Sequence, residues 1–433
     1  MAAIPVIVPR MSPRLQYVLD TLVCDQLDLD YYIAAQDAVF PPGTFVIAYG
    51  VKLPGAFSIP DAGLLWETDV HPLNVAQGTW QDLPTFFAAG ENHTLPFDIF
   101  SAVFFLLSRY EEYLPYTPDR HGRYPATESI LYKTGLLQRP IIDEWTQQLR
   151  DMLRNEYQLP VKDPEFRFLP TYDIDIAWSY KHKGRQRTAG SIIKKLLGMK
   201  TAEISEQMRV LQEIEPDPYD AYDRIEQLHA GKIPKPKFFV LAAHRTTPFD
   251  KNISPKHPAM SSLIRRLMNI GEVGMHPSYY SNDENIFAEE QHFLQICIQK
   301  EELRITRQHY IKLKLPDTYH LLDRMDMYAD YSMGYATHPG FRAGTAQSFY
   351  WYDLSRNKEG LLEVFPFCFM DTMAHYFLQL DVDKAFSLLR EMTQRLKACN
   401  SILITVFHNF SLGTDKEWAG WYEAYERFVQ EIM

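Results

Sequence analysis

Phe166-Arg-Phe-Leu-Pro-Thr-Tyr-Asp-Ile-Asp175 decides the fold. The stretch reads as a short buried strand that ends in two carboxylates, Asp173 and Asp175. Residues i and i+2 of a strand point to the same side. Both carboxylates therefore face one space at the C-terminal end of a strand, where parallel α/β folds keep their active sites. Two carboxylates placed there repel unless a cation or a proton offsets them. A metal or general-base site is the first expectation.

Downstream, the pattern alternates. Apolar runs predict strands at 167–172, 237–242, 271–276, 303–308, 361–367 and 401–407, with helical stretches between them at 257–270, 285–302 and 382–399. Strand, helix, strand at this spacing argues for a parallel sheet or a β/α barrel. Upstream, residues 1–160 read as a separate α+β unit. It has helical periodicity at 14–29, a short strand at 44–50, a strongly apolar helix at 96–114 and another helix at 141–157. Leu159-Pro-Val-Lys-Asp-Pro164 supplies the linker, because its prolines stop the helix. The expected domains are therefore 1–160 and 161–433. Between the first two strands lies an insertion, Lys181–Lys200, with seven Lys/Arg and no acid, which reads as a solvated helix or a cationic rim for anions.

Composition narrows the class. The 433 residues carry a net charge of −11, which argues against a general nucleic-acid binder. Hydrophobic residues at 46% suffice for a large core. Cys24, Cys297, Cys368 and Cys399 are far apart and form no CxxC pair, so reduced thiols are expected rather than a zinc ribbon or disulfide framework. The first ten residues lack a signal-peptide pattern and no run reaches about 18 apolar residues. The expectation is a soluble, cytoplasmic protein, with contact to a membrane surface left open.

Four predicted strand ends carry chemistry: Asp173 and Asp175, then His276, then Arg307 and His309, then His408. In a barrel these ends converge on one mouth. Aspartate and histidine are ligands that suit Zn²⁺ with one position left for water. Other polar groups are placed to shape such a site. Arg342 suits a bidentate clamp on an anion, and Trp178, Tyr279, Tyr280 and Trp351 can stack on a sugar ring. Asp250, Asn252 and Asp371 also follow strands, Asp371 reading as structural. Arg109, Glu111 and Glu112 read as an ion-pair cluster at a helix end.

At these residues the chain resembles the polysaccharide deacetylase family of metal-dependent carbohydrate esterases. The carriers are Thr171-Tyr-Asp-Ile-Asp175, Glu272-Val-Gly-Met-His276, Arg307 and His408. A bacterial subgroup with an extra N-terminal domain is similar along the whole chain, through Leu107-Ser-Arg-Tyr-Glu-Glu112, His276-Pro-Ser-Tyr279, Arg307-Gln-His-Tyr310 and Gly340-Phe-Arg-Ala-Gly-Thr345. The resemblance implies a distorted β/α barrel behind an N-terminal α+β domain. It implies a divalent metal, zinc first, on Asp175 and His276, with Asp173 as general base, Arg307 beside it and His408 as acid. The reaction implied is removal of an N-acetyl group from an amino sugar of a glycan or an activated sugar precursor. One position departs from the family pattern: Tyr280 stands where a second motif histidine belongs. His309 can replace it, or the metal is held weakly, or none is bound. Two rivals follow: a carbohydrate-binding protein on the same fold, and a glycosyltransferase using Asp-x-Asp to hold a metal and a diphosphate.

Overall fold

A computed structural model describes residues 3–90, 92–231, 234–299 and 302–433. Strands Ile4–Ile7 (β1), Tyr31–Ile33 (β2), Ile47–Tyr49 (β3) and Phe57–Ile59 (β4) form a small parallel sheet in the order β2-β1-β3-β4. Gln77–Trp80 (β5) and Leu83–Phe86 (β6) make a hairpin beside it. All nine residues of the helix Ile99–Leu107 are buried. A helix apolar on every face belongs in the middle of a core, and Asp98 caps it by accepting from Ser101 N–H at 2.9 Å.

That helix ends at Leu107, short of the expected Leu114. Arg109 adopts the left-handed conformation (φ 52°), and the chain continues as a tight turn over Tyr110–Tyr113. Its buried guanidinium bonds Glu112 at 2.9 Å across that turn. The expected 14–29 helix starts at Pro13 and widens into π-type turns over Leu19–Gln26.

The larger sheet has nine strands. They are Arg167–Ile174 (β7), Lys237–Leu241 (β8), Glu272–His276 (β9), Ile305–Thr306 (β10), Ala329–Asp330 (β11), Phe349–Asp353 (β12), Lys358–Val364 (β13), Phe369–Met370 (β14) and Ile402–His408 (β15). Their order is β12-β13-β11-β10-β9-β8-β7-β15-β14. Every pairing is parallel except β12 with β13. The sheet curls without closing, an open and distorted β/α barrel with helices between the strands. The first and last long strands, β7 and β15, lie side by side with Asp173 opposite His408. Gly274 is forced by packing: a Cβ there would sit 2.8 Å from Ile305 Cγ1 and from the Phe239 ring.

Three strands of this sheet escaped the sequence reading, as did all of the N-terminal strands except β3. β11 and β14 have two residues each, too few for periodicity, and β12 pairs antiparallel at the edge. The predicted 303–308 strand shrinks to Ile305–Thr306, and the chain turns soon after, over His309–Ile311. The predicted 285–302 helix runs over Glu284–Ile298; Lys300 and Glu301 lie outside the described residues, as do Met1 and Ala2 of the N-terminal reading. All four cysteines are free, and no described helix is long and apolar enough to cross a membrane.

Candidate metal centre and its cleft

The C-terminal ends of β7, β9, β10 and β15 converge on Asp175. Its Oδ1 lies 3.1 Å from His276 Nε2, and its Oδ2 lies 3.4 Å from His309 Nε2 and 3.5 Å from His408 Nε2. Asp175, His276 and His309 together offer three ligand atoms within 4.8 Å of one another. His309 reaches the centre because Tyr310 and Ile311, with φ 59° and 50°, are both left-handed. Two successive non-glycine residues in that region are sparsely populated and must be held by their surroundings.

Each imidazole is oriented from behind. His276 Nδ1–H donates to the Arg307 carbonyl at 2.5 Å. His309 Nδ1 bonds Asp250 Oδ1 at 3.1 Å, and Asp250 also accepts from Tyr279 N–H and the Thr247 hydroxyl. His408 Nδ1 bonds Asp371 Oδ1 at 2.7 Å. Asp371 is fixed in turn by the His408 and Thr372 amides and the Ser411 hydroxyl. Carboxylate or carbonyl partners behind the ring are the usual way a ligating or catalytic histidine is held.

The donor set fits a cation. With its Nδ1 proton committed to Arg307, a neutral His276 presents a bare Nε2 lone pair. Asp175 Oδ1, 3.1 Å away, is buried and has no hydrogen-bond donor of its own. Two lone pairs at that separation need a shared positive charge. Burial raises the Asp175 carboxyl, but the neighbouring His309, His276 and His408 outweigh it and hold it well below the usual range. Burial opposes charge on His309, yet Asp175 and Asp250 push it up to about 9. His408 is likewise disfavoured by burial and driven up to about 9 by Asp371 and Asp175.

Asp173 sits beside this group, 2% exposed. Arg307 Nη1 donates to its Oδ1 at 2.8 Å and to Thr171 Oγ1 at 2.7 Å, while Arg307 Nε donates to the Tyr331 carbonyl. The guanidinium, fully buried, lies 4.4 Å over the Phe239 ring.

A cleft of about 300 Å³ opens onto these groups, at the lower end for small-molecule sites. Phe249, Tyr310, Met370, Tyr376, Phe377 and Phe410 line its apolar side. Arg120, His121 and Arg123 also line it, although they come from the N-terminal portion. That loop is anchored by Arg123 Nη1 donating to the Tyr310 carbonyl at 2.5 Å and by His121 Nδ1 against the Tyr279 hydroxyl at 2.9 Å. Sequence reasoning missed this wall, since only the tertiary fold brings it to the strand ends.

The predicted residues separate into two groups. Asp173, Asp175, His276, Arg307, His309 and His408 are brought together. Tyr279 stacks on Phe249 at 3.9 Å, behind the cleft wall. Tyr280 is 48% exposed outside the cleft lining, while His309 approaches Asp175. Arg342 is no free clamp: Glu112 holds it through two bonds, from Nε at 2.8 Å and Nη2 at 2.5 Å. Trp178 is buried against His182 and Tyr222. Trp351 is buried in β12 and donates to Tyr113. Asn252 ties β7 to β8 through the Ile174 and Leu241 carbonyls. Asp371, expected to be structural, braces His408 from behind.

A family described as "Family of unknown function (DUF7033)" matches residues 4–158. No curated protein matches the chain. Among solved structures, a "putative polysaccharide deacetylase from Mycobacterium smegmatis" is similar at 14% identity and a TM-score of 0.40, over 63% of this chain and 85% of that one. An allantoinase (Puue) is similar at 13% identity and a TM-score of 0.36, over 74% of this chain and 91% of that one.

Proposed function

We propose that the protein is a metal-dependent amide hydrolase that removes the N-acetyl group from an amino sugar, in a glycan or an activated sugar precursor. The observation that carries this reading is the convergence of Asp175, His276 and His309, each ring braced from behind, beside a second carboxylate and a third histidine. Two histidines and one carboxylate with an open side suit Zn²⁺. A divalent ion held there would polarise the acyl carbonyl and acidify a water.

The remaining work falls to the chain. Asp173, aimed by Arg307, accepts the proton of the attacking water at Oδ2. His408, held by Asp371, delivers a proton to the departing nitrogen from Nε2. The aromatic side of the cleft excludes water and offers faces for a sugar ring. The glycosyltransferase alternative leaves the Arg307 bond to Asp173 Oδ1 and the braced histidines without a role. A pure binding role leaves the His408–Asp371 pair without a purpose.

Elemental analysis of purified protein before and after incubation with Zn²⁺ tests the centre. About one metal per chain is expected, lost in Asp175→Ala and His276→Ala. Asp173→Asn is then expected to retain metal but to release acetate from N-acetylated amino sugars about a hundredfold or more slowly. A wild-type chain that retains no metal under either condition sinks the reading.

A further inference from the structure

The insertion between β7 and β8 exposes apolar surface that the fold does not use. Its first helix, Gly184–Leu197, has no buried residue. Ile193, Leu196 and Leu197 stand at i, i+3 and i+4 on one face, 57%, 58% and 81% exposed. Met199 follows in the next turn at 88%, and Met208 and Ile214 of the adjoining segment are 40% and 65% exposed. Single exposed apolar residues need no explanation, but a grouped set of this kind marks an interaction surface.

The same segment is the basic region of an acidic chain. Residues 181–215 carry eight Lys/Arg against four acids, in a protein of net charge −11. Some of these charges are spoken for. Arg187 donates to the Lys251 and Asn252 carbonyls, Lys195 lies over the Tyr180 ring and bonds Gln207, Lys200 pairs with Glu203, and Arg209 with Glu215. Lys181, Arg185 and Lys194 have no acidic partner among the described residues. An apolar stripe flanked by unpaired cations is the pattern of a helix that lies in a bilayer interface. A second copy is the poorer occupant, because a two-fold contact sets these cations against themselves.

We propose that this helix and the following one, Thr201–Leu211, dock on an anionic lipid bilayer. Ile193, Leu196, Leu197 and Met199 enter the headgroup boundary, and Lys194 and Arg185 meet lipid phosphates. Because Arg187 grips the loop whose Lys251 lines the cleft, docking sets the cleft mouth beside the headgroups. The proposal does not depend on the metal centre, so it is tested on chelator-treated full-length protein.

Sedimentation with vesicles of phosphatidylcholine, with and without phosphatidylglycerol, reads the binding. Binding to the anionic vesicles is expected to exceed that to neutral ones by about tenfold and to weaken with salt. The Leu197→Asp/Met199→Asp double variant is expected to lose about tenfold or more, and Lys194→Glu a smaller factor, with unchanged melting because all three side chains are exposed. Failure to bind anionic vesicles, or binding indifferent to the double variant, overturns the proposal. So does a lipid-free dimer in size-exclusion chromatography that the double variant dissolves, which gives the surface to a second copy.

Discussion

Two buried charge clusters lie within this fold, and they are built on opposite principles. Where the turn Tyr110–Tyr113 meets the segment before β12, Glu112 receives Arg109 Nε at 2.9 Å and Arg342 at 2.8 and 2.5 Å, all with side chains about 1% exposed. Arg342 also donates to the Gly334 carbonyl and lies over the Tyr335 ring. Burial raises the Glu112 carboxyl, but the two guanidiniums win and lower it. At the strand ends, Asp175 faces three imidazoles, and its Oδ1 has no hydrogen-bond donor. The first cluster is saturated; the second keeps lone pairs in reserve. A buried ion network that serves only architecture is expected to close on itself, because an unmet charge there is costly. One left open has a ligand to answer to.

The largest effect should come from opening the closed cluster. Glu112→Ala strands two buried guanidiniums and should cost about 3–5 kcal/mol in denaturant unfolding, with metal retention unchanged in whatever remains folded. A stable variant would mean that the cluster relaxes and that the contrast is one of degree.

Next comes pH, acting on the open cluster. His309 and His408 rise from 6.5 to about 9 in the metal-free chain. A raised folded pKa contributes stability that is fully present below 6.5 and lost as pH climbs through about 9. The chelated protein should therefore lose on the order of 2 kcal/mol for each histidine between pH 7 and 10, followed by thermal unfolding. A flat profile would remove the electrostatic half of the comparison.

Smaller still is Asp250→Asn, which loosens His309 without touching Asp175. Metal affinity should fall about 10- to 100-fold, read by competition with a chromophoric chelator; no change would deny His309 a place among the ligands. The smallest effect is the exposed control. Arg266 bridges Asp223 and Glu226 on the surface, and Arg266→Ala should cost less than about 1 kcal/mol.

The open cluster was far more legible in the sequence than the closed one. Strand parity alone put Asp173 and Asp175 on one side, and apolar runs ending in His276, Arg307 and His408 marked the remaining strand ends. His309 was readable only as a neighbour of Arg307, since its inward turn depends on the left-handed Tyr310 and Ile311. Arg342 misled because Gly-Phe-Arg-Ala-Gly looks the same whether the guanidinium meets a substrate or a carboxylate 230 residues away. The left-handed turn at Arg109 was hidden as well, because no glycine or proline stands at or beside it. The loop at Arg120–Arg123 carries no local sign that it will wall the cleft.

The pairing of β7 with β15 has a consequence in time. Asp173 and His408 are register partners, yet the ribosome makes them 235 residues apart. Contacts of such separation form late, because the loop between them must be closed first. Throughout synthesis β7 therefore presents a bare edge, apolar and ready to pair with the wrong strand. That edge stays open until the last long strand emerges, and only then do the aspartates and His408 meet.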